Sequence, residues 1–542
     1  MPTTRARLLA LVCGALAPLA GCNDPQLEGV EVESEMTVII VDPVPIRSKD
    51  VDILFVVDNS GSMAEEQAAL AASVGSLIDV LERPGVDANY RIGVTTTDNG
   101  NPWCGNTSPE AGLLQMSSCH SRLESFTFEG ATTIDAQQEA CLDLCPDQWA
   151  DIETLPTAVD SSSDTRPRPW LERIDGATNL PKGLTTTQAF QCVGPQGIDG
   201  CGFESPLESM WKAVRRSQTD DDPGHGFMRN HAVLSIVHVT DEADCSYNSA
   251  QESMFLPDGN RVFWSDPEAA SPTSAACWNA GVRCEGSGTY DDCQPIDRGL
   301  DGNEVSAADA DELAALRPMS RYVEILQTLE DQKQQIFPNH EVLVSIIGGV
   351  TSDGSVVYQD AIDDPQFQID FGIGPGCEGP NGRAVPPVRL RELARHFEVE
   401  GDRNLFSSCD GDYSFALEAI AEAIADQLEP NCVPACVADT DADTPDVLDP
   451  ACTVTQEWVT DDGELLELEV PECEPEHTLP DGADVCYLAA SGDELHERCM
   501  EQGFNLELQF VRRDGVPRPK NPAISAKCEL SDDRARDCPG LP

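Results

Sequence analysis

Residues 51–57 read VDILFVV, and residues 58–63, DNSGSM, follow them directly. A nearly continuous apolar run of this length is typical of a strand that is covered on both faces, as in a parallel sheet. A helix is predicted next, because apolar residues recur at helical spacing at Leu70, Val74, Leu77, Ile78 and Leu81. The polar loop therefore follows the carboxyl end of a buried strand, where open α/β sheets bind their ligands.

Strand-like and helix-like segments alternate further along the chain. Apolar runs that predict strands lie at 90–95, 233–239, 342–347 and 404–407, and amphipathic stretches that predict helices lie around 207–214, 387–397 and 412–428. This alternation predicts an α/β fold, with a doubly wound, mostly parallel sheet and helices on both faces. His238 lies inside the apolar run 233–239, and we interpret it as a core residue whose hydrogen bonds are satisfied.

Two of these strands carry a motif at their ends. One apolar strand ends in Asp58-x-Ser60-x-Ser62, and a later one ends in Thr240-Asp241. In this strand context the sequence resembles a von Willebrand factor A-type (VWA) domain, and the last helix, strand and helix are similar to that family's final elements. The resemblance covers about residues 49–430, with large insertions near 98–200 and 245–310. It implies a Rossmann-like, doubly wound sheet that carries a metal-ion-dependent adhesion site (MIDAS).

The resemblance also implies a set of metal ligands. Ser60 and Ser62 would bind Mg²⁺ (or Ca²⁺ or Mn²⁺) through their hydroxyls, with Asp58 and Asp241 beside them. Because hydroxyl ligands add no negative charge, such a metal can accept a carboxylate from a protein partner. The alternative interpretation is that the two serines only cap the following helix.

One further ligand position is ambiguous. The family uses a Thr before a middle helix, and by distance to the helix that carries Leu207, Glu204 takes this position. Thr178 is the alternative, because its Gly-Ala-Thr-Asn context has the more familiar wording. A Glu would add charge at the metal, which favours calcium or weakens the capture of a partner's carboxylate. Glu204 is also explained as an N-terminal helix residue that the helix dipole favours.

The N-terminus has the features of an export signal. Arg5 and Arg7 precede an apolar run at 8–19, which is too short to span a membrane, and the sequence Leu-Ala-Gly follows up to Cys22. This arrangement resembles the lipobox of bacterial lipoproteins. It implies a signal peptide at 1–21, lipidation of Cys22, and an acidic tether at 22–48.

The cysteine content agrees with export. The chain has 22 Cys, and an even number remains when Cys13 in the signal and Cys22 are set aside. We therefore expect disulfides, which persist in oxidising compartments, and place the protein in the cell envelope, with the outer membrane or cell surface favoured. Zinc is the alternative for Cys141-x3-Cys145 and Cys432-x3-Cys436, but no His follows at ligand spacing. Disulfides in place of a hydrophobic core would brace the two insertions around the metal site.

The charge restricts the partners. The formal net charge is −62, from 96 acidic and 34 basic residues. Nucleic acid and anionic lipid headgroups are therefore excluded as partners, and the only expected membrane contact is the anchor on Cys22.

The C-terminal region, 431–542, carries eight Cys and strand-like runs at 454–460 and 506–512. These features predict a smaller, Cys-rich, β-containing domain. Asp439, Asp441 and Asp443 alternate and form a second, weak Ca²⁺ candidate, although an acidic linker turn is the favoured interpretation.

No Gly-x-Ser-x-Gly, His-Glu-x-x-His or P-loop motif occurs, so the chain is not expected to be an enzyme. The predicted function is that of an envelope lipoprotein that binds a protein partner through a divalent metal. A metal-independent envelope scaffold is the main alternative, and a hydrolase is the third.

Overall fold

A computed structural model of the protein describes residues 44–45, 49–129, 133–160, 162–337, 340–399, 401–428, 430–440, 448–459, 464–475, 478–513, 516 and 523–538. Its strands are β1 (Val44–Pro45), β2 (Asp50–Val57), β3 (Asn89–Thr96), β4 (Thr127–Glu129), β5 (Thr133–Asp135), β6 (Thr157–Val159), β7 (Ser162–Arg166), β8 (Leu171–Ile174), β9 (Ala177–Thr178), β10 (Val233–Val239), β11 (Val282–Ser287), β12 (Thr289–Pro295), β13 (Val342–Gly348), β14 (Cys377–Gly379), β15 (Gly382–Ala384), β16 (Leu405–Ser407), β17 (Cys452–Val459), β18 (Leu465–Val470), β19 (Val485–Ala490), β20 (Glu507–Arg512) and β21 (Ala523–Cys528). Its α-helices are α1 (Ala64–Glu82), α2 (Thr186–Val193), α3 (Pro206–Ser217), α4 (Ala275–Gly281), α5 (Ala310–Leu313), α6 (Met319–Gln334), α7 (Pro365–Phe371), α8 (Val388–His396), α9 (Ser414–Gln427), α10 (Glu497–Glu501) and α11 (Arg534–Asp537).

Seven strands form the central sheet, in the order β16-β13-β10-β2-β3-β8-β9. The five strands from β16 to β3 are parallel to their neighbours, and β8 and β9 join antiparallel at one edge. The predicted mixed α/β architecture with a mostly parallel sheet is therefore confirmed. The strand that carries the Asp-x-Ser-x-Ser loop lies inside the sheet, between β10 and β3.

Helices cover both faces of the sheet, as the apolar run of β2 predicts. Every residue of β2 is buried. Ile53 and Phe55 pack on one side with α1, α2 and α9, while Leu54 and Val56 pack on the other with α3, α6 and α8. Alternate residues of the strand thus enter two separate cores, because successive side chains point to opposite faces.

The region predicted as the first insertion, 98–200, also contributes to the central sheet. Its later part forms β8, β9 and α2, and Phe190 of α2 contacts the Phe55 ring at 5.1 Å between centroids. The excursion from the sheet therefore ends before Leu171. An edge strand as short as β8, with the sequence LERI, lacks the apolar run that marks a central strand.

The second insertion takes part in a separate hydrophobic cluster, in which its Phe255 and Trp264 pack together with Phe203. The disulfide Cys245–Cys277 lies in the same cluster. The expectation of disulfides in place of a core is wrong here, because the two occur together.

Disulfides pair every cysteine from Cys104 to Cys538, which confirms the disulfide interpretation over zinc. The pairs are Cys104–Cys201, Cys119–Cys141, Cys145–Cys192, Cys245–Cys277, Cys284–Cys293, Cys377–Cys409, Cys432–Cys499, Cys436–Cys538, Cys452–Cys528 and Cys473–Cys486. The last four join residues of the C-terminal region to one another.

The C-terminal region is rich in strands and packs against the amino end of β2. A four-stranded sheet has the order β1-β21-β17-β18, and β19 pairs with β20. Lys49 Nζ donates to Glu507 Oε1 at 2.9 Å, and Arg512 Nε donates to Asp175 Oδ2 at 3.0 Å, with all four side chains buried. The described residues, from Val44 onward, belong to one compact unit.

The end of the predicted tether lies in this C-terminal sheet, where Val44 and Pro45 pair with Ala526 and Ser525. The predicted lipidation site, Cys22, and the signal peptide lie outside the described residues. Within the described part of the chain, every helix is too short or too polar to cross a membrane.

Candidate metal site

The loop after β2 brings a buried carboxylate next to two hydroxyls. Asp58 is fully buried, and its backbone N–H donates to Val239 O at 2.9 Å, which fixes it beside the end of β10. Asp58 Oδ1 accepts a hydrogen bond from the Ser60 N–H at 2.8 Å, and Ser60 Oγ lies 3.2 Å from Ser62 Oγ. The loop therefore turns back on itself with its oxygen atoms close together.

The neighbouring strand adds the Thr-Asp pair. Thr240 Oγ1 donates to Asp58 Oδ2 at 2.5 Å. The Asp241 side chain accepts a hydrogen bond from Ser62, while Asp241 Oδ1 is buried without a partner. The structure thus brings the sequence-predicted residues Asp58, Ser62 and Asp241 to one place, because β2 and β10 are parallel neighbours and end at the same sheet edge.

Glu204 lies beside them and is fully buried. Its backbone carbonyl accepts from the Cys245 N–H at 2.6 Å, and the Ser205 N–H donates to Thr97 O at 3.0 Å. These bonds hold the segment between the loops that follow β10 and β3, which are the two strands flanking β2. The Thr97 hydroxyl donates to Glu204 Oε2, whereas Oε1 is buried without a partner.

Thr178, the alternative to Glu204, lies at the other end of the sheet. It pairs with Arg173 in β8, and Arg173 pairs with Tyr90, near the beginning of β3. Tyr90 is level with Val51 of β2, seven residues before Asp58. The structure therefore places Glu204, and not Thr178, at the candidate site.

Three polar side chains at this site were missed from the sequence. Glu66, in the first turn of α1, is 1% exposed, and its Oε2 has no partner. Glu242 is buried and accepts from Ser274 Oγ at 2.8 Å. Asn59 is also buried, with Oδ1 unpartnered. The available signal was spacing, since Glu66 follows Ser62 by four residues and lies in the first turn of the helix that the loop leads into.

The surroundings of the site disfavour the ionised forms of its carboxyl groups. Burial raises the pKa of Asp58, Glu66, Glu204, Asp241 and Glu242 above the ordinary carboxyl range. Neighbouring carboxylates raise it further: Asp58 acts on Glu204 and Asp241, and Asp241 acts on Glu242 and Glu66. A bound cation would reverse this penalty, because it stabilises the ionised forms.

The donor set fits a hard divalent cation. Four buried oxygens have no hydrogen-bond partner: Asn59 Oδ1, Glu66 Oε2, Glu204 Oε1 and Asp241 Oδ1. Buried polar atoms are normally satisfied, so this cluster of acceptors calls for a donor or an ion. In the described residues, no three His, Cys, Asp or Glu side chains converge tightly enough to bind a metal through those residue types alone. A cation would therefore need the hydroxyls of Ser60 and Ser62.

Both insertions contact this site. A Cβ atom on Gly61 would lie 2.7 Å from the Phe128 ring of the first insertion, so the loop passes directly beneath that side chain. The Gly200 N–H donates to Asn59 O at 2.8 Å. From the second insertion, Ser274 reaches Glu242. Ser62 remains exposed and marks the opening of the site to solvent.

The second candidate calcium site is only partly described. Asp439 accepts a hydrogen bond from the Asp449 N–H at 3.3 Å. Asp441 and Asp443 lie outside the described residues.

Comparisons with known proteins give distant similarities only. No family model matches the sequence, and no curated protein matches it. Among solved structures, the chain is similar to the pilus adhesin SpaC from Lactobacillus rhamnosus GG in its open conformation, with 10% identity, a TM-score of 0.27, and coverage of 90% of this chain and 40% of that one. It is also similar to the pilus adhesin RrgA from Streptococcus pneumoniae, with 12% identity, a TM-score of 0.26, and coverage of 89% and 57%. This chain therefore spans less than two thirds of either adhesin, and scores this low do not define a shared fold.

Proposed function

We propose that this protein is an exported envelope lipoprotein with a VWA-type domain that binds a protein partner through a divalent cation. Asp58, Ser60 and Ser62 hold the cation, with Asp241 and Glu204 beside them. The observation that carries the proposal is the cluster of buried, unpartnered oxygens at the carboxyl end of the central sheet. Ten disulfides support an oxidising location, and lipidation of Cys22 supplies the attachment to the membrane.

The strand order supports the VWA-type assignment. A parallel sheet with helices on both faces presents the Asp-x-Ser-x-Ser loop and the Thr-Asp pair side by side. The hydrogen bonds from Thr240 and the Ser60 N–H orient Asp58 beside the Ser60 hydroxyl, which lies 3.2 Å from the Ser62 hydroxyl. This arrangement supplies hard oxygen ligands of the kind that Mg²⁺ and Ca²⁺ prefer.

The insertions would then form the surface that selects the partner, because each contacts the site from a different side. Trp103 is 41% exposed and precedes Cys104 directly. Cys104 forms a disulfide with Cys201, which lies three residues before Glu204. Exposed Trp residues are enriched among the side chains that dominate binding energy. Trp103 is therefore the first residue to replace when a partner is in hand.

Thermal unfolding tests the metal site. The full-length protein, stripped with chelator and with its disulfides intact, is melted alone and with Mg²⁺, Ca²⁺ or Mn²⁺. We expect at least one cation to raise the melting temperature, since an ion that binds only the folded state stabilises it. Asp58→Ala should abolish this shift. Asp79→Ala, on an exposed position of α1, is the matched control and should retain it.

The same melting experiment distinguishes the metal-dependent function from the main alternative, a metal-independent scaffold. That function is favoured by one observation, the hydrogen bonds that join Thr240 to Asp58 and Ser60 to Ser62 directly. If no cation shifts the melting temperature, or if Asp58→Ala shifts as much as the wild type, the metal-dependent function is wrong.

A further inference from the structure

We propose that a basic surface around Trp211 binds an acidic segment of a protein partner. Its three charged members are Lys212 and Arg215 of α3 and Arg317, which precedes α6. We call these four side chains the basic patch. The patch adjoins the candidate metal site, because α3 begins two residues after Glu204. It shares no residue with that site and needs no cation, so the two can be tested independently.

Positive charges are concentrated here although the chain as a whole is strongly acidic, with a net charge of −62. Burial lowers the pKa of the Lys212 ammonium, and Glu208 opposes this shift. The positive charges of Arg216, Arg317 and Arg321 lower the same pKa further. The four cations therefore lie close enough to repel one another, and a group of like charges at a surface attracts a ligand of opposite charge.

Two of these cations are already neutralised within the protein. Arg321 forms a bidentate ion pair with Glu208, with both hydrogen bonds at 2.9 Å. Arg216 pairs with Asp222 at 2.7 Å. In the part of the chain that the structure describes, the three charged members of the basic patch form no ion pair. Three positive charges are thus left for a partner.

The hydrogen bonds of these three side chains go to neutral acceptors. Lys212 Nζ donates to Asn99 Oδ1 at 2.6 Å. Arg215 donates to Gln218 Oε1 at 3.5 Å. Arg317 donates to a backbone carbonyl and to a serine hydroxyl, both at 3.5 Å. The bonds of the two arginines are long and therefore weak, and a carboxylate would offer them shorter, charge-assisted bonds.

Trp211 gives the basic patch an aromatic centre. Trp211, Lys212 and Arg215 are three or four residues apart and share one face of α3. The guanidinium of Arg215 lies 5.8 Å from the centre of the Trp211 ring, and that of Arg321 lies 3.6 Å from it. Stacking on a ring orders a guanidinium without using its N–H donors, which stay available for a carboxylate. Trp and Arg also dominate the binding energy of protein interfaces, which favours a protein partner.

The negative charge of the rest of the chain limits the kind of ligand. Interactions between exposed charges are largely screened beyond about 8 Å at physiological ionic strength. The three unpaired cations therefore decide what binds at the basic patch itself. A long polyanion would extend over the acidic surface around the patch and be repelled there, whereas a short acidic segment would not.

Fluorescence anisotropy of a labelled hexaglutamate peptide tests this role, with the full-length protein in chelator and its disulfides intact. We expect binding that weakens at least about threefold when NaCl is raised from about 50 to about 200 mM. Arg215→Gln combined with Arg317→Gln should weaken binding by about tenfold, because each exposed charge pair contributes a modest part of the affinity. Asp58→Ala should bind the peptide as wild type does.

A second double variant controls for the total charge of the protein. Lys182 and Arg395 are exposed, and they lie before α2 and in the last turn of α8. Lys182→Gln combined with Arg395→Gln removes the same charge, and its affinity should stay within about twofold of wild type. Melting each protein in chelator shows whether it folds. An oligogalacturonate of equal charge is titrated beside the peptide, since it carries carboxylates on a sugar chain.

The outcomes separate the basic patch from the proposed metal site. The role of the patch is overturned if hexaglutamate does not bind, if the two double variants lose affinity equally, or if the oligogalacturonate binds more tightly than the peptide. Peptide binding that needs a divalent cation and is lost in Asp58→Ala overturns it as well, but supports the metal site. Peptide binding in chelator without any cation-dependent melting shift supports the patch, while the proposed function fails.

Discussion

The hydroxyl of Thr240 donates a 2.5 Å hydrogen bond to the carboxylate of Asp58, which links the ends of two neighbouring parallel strands. Both residues are buried. This bond sets the orientation of the Asp58 carboxylate, since the other oxygen is fixed by the Ser60 N–H. The Thr of the Thr-Asp pair is therefore a positioning residue for the candidate site.

Replacing Thr240 by Val should test that role. The change keeps the shape of the side chain but leaves a buried carboxylate oxygen without its donor, so we expect a loss of about 1–3 kcal/mol in the free energy of unfolding. Urea denaturation in chelator measures this loss, and titration calorimetry should show weaker cation binding. Thr95→Val is the matched control: the Thr95 hydroxyl is buried without a partner, so removing it should cost nothing. Equal losses in the two variants would contradict the role of Thr240.

The Cys104–Cys201 disulfide should support both stability and metal binding. It joins residues 97 positions apart and braces the segment that leads into Glu204. The double substitution to Ser should lower the free energy of unfolding by about 2–5 kcal/mol, because the unfolded chain regains the entropy of an open loop. Cation affinity should fall as well. The Cys473–Cys486 pair, in the C-terminal region, is the control, and its removal should leave cation affinity unchanged.

The buried ion pair between Lys49 and Glu507 should hold the C-terminal region against the base of β2. Their side chains are 6% and 0% exposed. Glu507→Gln leaves the Lys49 ammonium buried without a counter-charge and should destabilise the protein by about 3–5 kcal/mol. The double variant with Lys49→Met should recover most of that loss. Urea denaturation of the two single variants and the double variant measures the coupling, and additive losses would contradict it.

His238 should make stability fall at acid pH. It is fully buried in β10, and neither ring nitrogen has a hydrogen-bond partner, so its interpretation as a satisfied core residue is wrong. Burial lowers its pKa to about 3 from the ordinary 6.5. Between pH 6.5 and about 3, His238 is therefore protonated in the unfolded chain and neutral in the folded chain. The free energy of unfolding falls as the pH is lowered through this range, because protonation stabilises only the unfolded chain.

The stability of His238→Val, measured beside wild type across this range, isolates the effect from that of the carboxylates. The difference in free energy of unfolding between the two proteins should grow by up to about 1.4 kcal/mol per pH unit as the pH falls. A difference that stays constant from pH 7 to pH 4 would show that His238 does not titrate in this way.

Cys22→Ala should abolish attachment to the membrane. Lipidation modifies the thiol of the Cys side chain, so the variant should no longer incorporate a labelled fatty acid and should move to the soluble fraction after cell lysis. Mass spectrometry of the mature N-terminus measures the modification directly. Cys13→Ala, inside the predicted signal peptide, is the control and should still be lipidated. Retention of the label in Cys22→Ala would overturn the lipoprotein assignment.

The sequence alone determined the central elements of this fold and the place of its candidate site. Buried parallel strands consist of apolar runs, so β2, β10 and β13 were visible as such, and the polar residues at their ends had to meet at one sheet edge. This physical constraint links Asp58 to Asp241 across 183 positions of sequence. The even number of cysteines that remain after Cys13 and Cys22 are set aside indicated disulfides, but it did not indicate which cysteines pair.

Only the tertiary structure decided the rest. The sequence favoured Glu204 by its distance to the following helix and kept Thr178 as the alternative, and register placed Thr178 at the opposite end of the sheet. Edge strand β8 escaped detection because a strand at the edge needs little apolar sequence. Glu66, Glu242 and the free oxygen of Glu204 became a site only through burial, since the free energy of a carboxylate depends on its solvent and its neighbours, and a linear sequence specifies neither.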